Sequence, residues 1–125
     1  MKKKVLIIDD DHSLLRLSQM ILTKKGYETA IAASSMEAKK MLSEEEGADI
    51  IILDLMMPTE SGETFLDWLD EQSSPLKNTP VILNTAKTLS LEELEIFSKR
   101  CRKIICKGIN FTANLLSEIE SVIKK

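Results

Sequence analysis

Three consecutive carboxylates, Asp9-Asp10-Asp11, close a short apolar run, and a lone one, Asp54, closes another. An amide and a hydroxyl, Asn84-Thr85, end a further run, and Lys107 follows the last. Two carboxylates about 4 Å apart repel by roughly 4 kcal/mol at an effective dielectric near 20. If these acids meet, they must share a proton, spread apart or take a cation. A ligand set of oxygens without Cys or His selects a hard ion, and a few carboxylates with open positions suit magnesium. Calcium is disfavoured, because the chain has no twelve-residue acidic loop. An ammonium (Lys107) and a hydroxyl (Thr85) at the same place suit phosphoryl oxygens. Asp54 would then be a carboxylate nucleophile forming an acyl phosphate. Taken singly, an aspartate after a strand commonly caps the next helix, and Asp11 is read that way.

The elements must bring these residues together. Apolar runs at 4–9, 27–32, 49–54, 79–84 and 102–106 read as strands, and the unbroken Ile50-Ile-Ile-Leu53 suggests burial on both faces. Between them lie amphipathic patterns. The first helix carries Leu14, Leu17 and Ile21 on one face and stops at Gly26. Ser34 with Glu37, and Ser90 with Glu93, have capping-box spacing. The second helix carries Ala38, Met41 and Leu42, and the third, over about 61–72, turns Phe65, Leu66 and Leu69 inward. The fourth bears Leu91, Leu94 and Phe97, and the fifth, from about 111 to 124, presents Leu115, Ile119 and Val122. Five strands alternating with five helices imply an α/β fold, a flavodoxin-like doubly wound parallel sheet in the order 2-1-3-4-5. In such sheets ligands bind beyond the carboxyl ends of the strands, where the strand order reverses. Asp9, Asp10, Asp54, Thr85 and Lys107 all fall at that edge.

Composition narrows the function classes. The chain has 125 residues, 43% hydrophobic and 30% charged, with a net charge of −3. That suits one domain and offers no general attraction for nucleic acid or anionic membrane. Its longest apolar runs fall far short of the ~20 residues needed to cross a bilayer. The basic start, Met1-Lys-Lys-Lys4, leads into aspartates rather than a signal-peptide core, so a cytoplasmic location is expected. Cys101 and Cys106 have neither metal nor disulfide-framework spacing and read as buried or half-buried apolar side chains. Lys99, Arg100, Arg102, Lys103 and Lys107 crowd into nine residues, a solvated basic face or a docking patch.

Taken together, the sequence resembles a response-regulator receiver domain, the phosphoacceptor module of two-component signalling. The matching segments are Val5-Leu-Ile-Ile-Asp-Asp-Asp11, Ile51-Ile-Leu-Asp-Leu-Met-Met-Pro58 with Gly62, Thr79-Pro-Val-Ile-Leu-Asn-Thr-Ala86, and Lys107. The resemblance implies that Asp9 and Asp10 organise magnesium, with Asp10 the direct ligand, and that Asp54 is phosphorylated. By the same likeness Met56 lends its backbone carbonyl to the metal, Thr85 is the switch hydroxyl and Ala86 leaves room for the phosphoryl group. Two departures fall around Lys107. Gly108 stands where the family usually has proline, so a trans peptide or a reshaped loop is expected. Ile104 stands where a Tyr or Phe ring often moves inward. The partner face would comprise Ala86, Ile104 and the basic residues Lys99, Arg100, Arg102 and Lys103.

The expectation is a stand-alone receiver over residues 1–125 without an output domain. It would accept phosphate from a histidine kinase or phosphotransfer protein, promote its own phosphorylation and dephosphorylation, and act through a downstream protein partner. It would be a monomer or a weak phosphorylation-dependent dimer. A pseudo-receiver that binds partners regardless of phosphate is the alternative. An aspartate-nucleophile phosphatase would need a second acid where Met56 stands, and no GxGxxG or GxxxxGK[ST] pattern points to a nucleotide enzyme.

Overall fold

The structure is a computed structural model that describes residues 3–44, 47–57, 60–86, 88–107 and 111–123. Strands and helices alternate throughout: β1 (Lys4–Ile8), α1 (His12–Lys24), β2 (Glu28–Ala32), α2 (Ser35–Glu44) and β3 (Ile50–Asp54). After these come α3 (Gly62–Asp70), a 3-10 turn (Leu76–Asn78), β4 (Val81–Thr85), α4 (Leu91–Arg100), β5 (Lys103–Cys106) and α5 (Phe111–Ile123). All strand pairings are parallel, in the expected order β2-β1-β3-β4-β5.

Side chains alternate across the strands, so each strand feeds two cores. On one face Leu6, Ile51, Leu53 and Leu83 pack with Ala38 and Leu42 of α2, Phe65, Leu66 and Leu69 of α3, and Phe97 of α4. On the other, Val5, Ile7, Ile50, Ile52, Ile82 and Ile105 meet Leu15 and Leu22 of α1 and Leu115, Ile119 and Val122 of α5. Every residue of β3 is buried, as its unbroken apolar run requires. The chain leaves β1 for one edge strand and returns across it to β3, which puts the reversal of strand order between β1 and β3. Asp9 and Asp54 therefore stand at the mouth of the crevice such sheets use for ligands.

The helix starts follow their caps. Asp11 caps α1 by accepting from the Leu14 amide at 3.1 Å, as expected for the third member of the triplet. His12 opens that helix and is exposed. Ser90 and Glu93 form a complete capping box on α4. At α2 the box is altered: Ser34 accepts from the Glu37 amide, while the Glu37 carboxylate takes the Ala33 N–H one residue earlier than expected.

Three expectations are corrected. The buried stripe of α1 is Leu15, Ser18 and Leu22, rotated from the expected Leu14, Leu17 and Ile21, and Leu17 is 39% exposed. The sequence offers three apolar residues on the wrong stripe and two on the right one, where small Ser18 faces the sheet. On α4 only Phe97 is buried, and Leu91 and Leu94 are exposed. Cys101 is buried, which pushes its thiol up to about 11, but Cys106 is exposed because β5 is an edge strand. Pro58 and Gly108 lie outside the described residues.

Candidate functional site

Parallel register builds the site. Ile8 pairs with Leu53, so the next residues, Asp9 and Asp54, are neighbours across the β1–β3 seam, and Asp54 pairs with Asn84 on its other side. Carboxylate oxygens of Asp9, Asp10 and Asp54 lie within 4.8 Å of one another, the only such grouping of possible metal ligands among the described residues. Asp9 and Asp54 are buried and Asp10 is exposed, so the cluster opens outward along Asp10. The Asp11 amide donates to Asp9 Oδ1 at 3.0 Å and the Met56 amide to Asp54 Oδ1 at 3.2 Å, which fixes both carboxylates from the backbone.

Lys107 closes the site from β5. Its backbone N–H donates to the Thr85 carbonyl, and its Nζ reaches Asp9 Oδ2 at 2.8 Å and Asp54 Oδ2 at 3.4 Å. The pairing of β5 with β4 brings the lysine to the pocket. Thr85 is fully buried as the last residue of β4, whereas the sequence placed it just past the strand. Ala86 next to it is exposed, as is Met56 at the other side of the opening.

Electrostatics match this crowding. Burial pushes Asp54 up to about 6, the Asp9 carboxylate adds to the shift, and Lys107 only partly opposes it. Burial works against the charge of Lys107, but its hydrogen bond to Asp9 and the two nearby carboxylates outweigh that and hold its pKa above the usual lysine value. An all-oxygen cluster with one member open to solvent fits a hard divalent cation, which would relieve the repulsion that a single ammonium leaves uncompensated.

Glu60 carries no signal in the sequence. It accepts from Ser35 Oγ at 2.6 Å and from Lys39 Nζ at 2.5 Å, so two groups on α2 hold Glu60, just ahead of α3. The hydrogen bonds from Lys39 and Ser35 keep its pKa below the ordinary glutamate value. These contacts span 25 and 21 residues, and no local pattern encodes them. Gly62 makes another close approach to the site, packed against the backbone of Asp54 and Leu55.

The basic residues do not form one surface. Arg100 donates to Asp67 and Asp70 of α3, Lys99 pairs with Glu95 one turn earlier, and Lys103 lies 3.7 Å from Glu118 on α5. Lys99, Arg100 and Arg102 also line a recess of about 370 Å³ with Lys77, at the opposite end of β4 from Asp54. Ile104 is half-buried against the α3–α4 core.

The chain is thus a doubly wound α/β domain with clustered acids at its point of strand reversal, faced by a lysine that follows β5. Comparison with known proteins names the family. The profile of the response regulator receiver domain matches residues 5–120, and the chain belongs to that family of two-component signalling proteins. It is 32% identical to the polar-differentiation response regulator DivK of Brucella ovis over 110 residues, 88% of each chain. Among solved structures it is similar to the Vibrio cholerae chemotaxis protein CheY4, with 29% identity, a TM-score of 0.86 and coverage of 98% and 99%. It is also similar to the Thermotoga maritima response regulator TrrA, solved in complex with Mg(2+)-BeF, with 27% identity, a TM-score of 0.80 and coverage of 98% and 99%. Receiver domains bind magnesium at an acidic pocket, and they interact with histidine kinases or phosphotransfer proteins and with downstream partners. No helix among the described residues is long and apolar enough to cross a membrane.

Proposed function

We propose that this chain is a magnesium-dependent phosphoacceptor in which Asp54 takes a phosphoryl group from a histidine kinase or phosphotransfer protein. The observation that carries the reading is the convergence of Asp9, Asp10 and Asp54 with Lys107 at one strand edge. Asp10 and Asp54 would hold the metal with the Met56 carbonyl, while Asp9 orients it. A magnesium ion bound there supplies positive charge against the donor phosphate and the acceptor carboxylate.

Asp54 Oδ forms the new bond to phosphorus as the P–N bond of the phosphohistidine donor breaks, and the departing imidazole takes up a proton. Asp54 must be ionised to attack, and its pKa of about 6 leaves it so at neutral pH. Lys107 turns from the free carboxylates toward the transferred oxygens, and Thr85 supplies a hydroxyl to the same group. Attack of water on the acyl phosphate reverses the state, so the domain promotes both its own phosphorylation and its hydrolysis. The output is altered contact with a protein partner, in the cytoplasm. We place that contact at the pocket opening around exposed Ala86 rather than on the basic residues Lys99, Arg100 and Lys103, which turn to separate partners.

The metal assignment has a direct thermal test. Millimolar magnesium is expected to raise the melting temperature, since it binds the folded cluster and has no such site in the unfolded chain. Asp10→Asn should lose most of that increase while melting normally without metal. An equal magnesium shift in the variant would remove Asp10 from the metal site. Capture of partners with and without beryllofluoride tests the signalling role, and identical capture in both states would favour phosphate-independent binding.

A further inference from the structure

Asn84 is 2% exposed, and its Oδ1 is the one buried side-chain polar atom without a hydrogen-bond partner among the described residues. An unpaired buried acceptor weakens a fold, and native proteins rarely keep one without a reason. Leucine has the same branching and the same number of heavy atoms and would avoid the penalty. Folding alone therefore does not account for a buried amide near the carboxyl end of β4.

Its position indicates a role. Asn84 pairs with Asp54 on one side and Ile105 on the other. Ile7, Ile52, Ile82 and Ile105 all face the α1–α5 core. Alternation carries that same face on to Asp9, Asp54, Asn84 and Lys107. Lys107 starts from β5 and contacts carboxylates on β3 and β1, so its side chain must cross β4, where Asn84 lies. An ammonium has three donors and no acceptor, and only the oxygen of a carboxamide can meet it. Two of the donors are accounted for by Asp9 and Asp54. Phosphorylation of Asp54 would replace its single negative charge with a more highly charged phosphoryl group, a stronger attraction for the Lys107 ammonium than the free carboxylate it contacts here.

Resting on the phosphoacceptor reading above, we propose that Asn84 is a positioning residue whose carboxamide oxygen receives the Lys107 ammonium as it turns to the phosphoryl group. The unpaired acceptor of the resting state is paired in the phosphorylated one.

The test is a double-mutant cycle of Asn84→Leu and Lys107→Ala, read by the initial rate of phosphoryl uptake from acetyl phosphate with magnesium and by thermal melting. Asn84→Leu should melt above the wild type and yet take up phosphate about tenfold more slowly. In the Lys107→Ala background the same substitution should cause no further loss of rate. A wild-type rate in Asn84→Leu, or an equal loss with and without Lys107, would overturn the proposal. Asn84→Val serves the same comparison if leucine overfills the site. A wild-type protein that takes up no phosphate removes the phosphoacceptor reading itself, an outcome distinct from failure of Asn84 alone.

Discussion

Asp54→Asn is expected to abolish phosphoryl uptake while making the unphosphorylated protein more stable. The two effects have one cause. Asp54 is a buried carboxylate beside a second carboxylate, and these surroundings raise its pKa from 3.8 to about 6. The unfolded chain loses that proton near pH 4 and the folded one near pH 6. Between those values the folded state binds more protons, so stability falls as pH rises, and above pH 6 the penalty stays constant. Its size is on the order of 2–3 kcal/mol. Asparagine keeps the shape, removes the charge and leaves Lys107 with its 2.8 Å contact to Asp9. Urea denaturation without metal should therefore show Asp54→Asn more stable than the wild type at pH 7.5, with the gain shrinking toward pH 4. Phosphoryl label should be absent at every pH, because an amide is no nucleophile for phosphorus. A variant less stable than wild type at neutral pH would contradict the electrostatics. Label at the wild-type level would contradict the assignment.

Gly62→Ala should damage both the fold and the site. A Cβ on Gly62 would stand 2.6 Å from the carbonyl oxygen of Asp54 and 2.9 Å from the Cα of Leu55. Both are backbone atoms and cannot turn away as a flexible side chain would. Gly62 also opens α3 and donates its N–H to the Leu55 carbonyl at 2.9 Å, so relief requires α3 to move off the end of β3. Overpacking of this kind costs about 3 kcal/mol at the upper end of the usual range. The displaced segment runs from Asp54 to Met56, whose amide orients the acceptor carboxylate. Misplacement by about an ångström can cost on the order of a hundredfold in rate, so phosphate uptake should fall more than stability alone explains. Chemical denaturation together with the uptake rate checks this. Wild-type values for both would show that α3 can shift without carrying Asp54.

These substitutions fall on residues that the sequence identifies readily, and the reason is physical. Asp54 and Gly62 lie in or beside a strand buried on both faces, where a run of β-branched residues leaves little ambiguity. Asp11, Ser34 and Ser90 could be placed because a cap is local chemistry within one turn. The topology followed from alternation and handedness, and it brought Asp9, Asp54 and Lys107 to one edge before any distance was known.

What the sequence left hidden depends on tertiary partners. The buried face of α1 is not legible in the apolar pattern because Ser18, not an apolar residue, lies against the sheet. The basic run from Lys99 to Lys107 looked continuous, yet its members turn to α3, to α4 itself, to α5 and into the pocket. Glu60 meets α2 across more than twenty residues of chain. Asn84 reads in the sequence as a strand-end residue, and only the burial of its unpaired oxygen sets it apart. The lack of a ring at Ile104 is legible in the sequence, and the structure packs that side chain against the core.

The most direct measurement is the location of the phosphoryl group on the wild-type protein. Incubation with acetyl phosphate and magnesium, trapping of the acyl phosphate by borohydride reduction and peptide mass spectrometry would identify the modified residue. The expected result is modification at Asp54 alone, lost when magnesium is chelated. Modification at Asp9, Asp10 or Asp11 instead, or none at any carboxylate, would contradict the assignment of Asp54 as the acceptor.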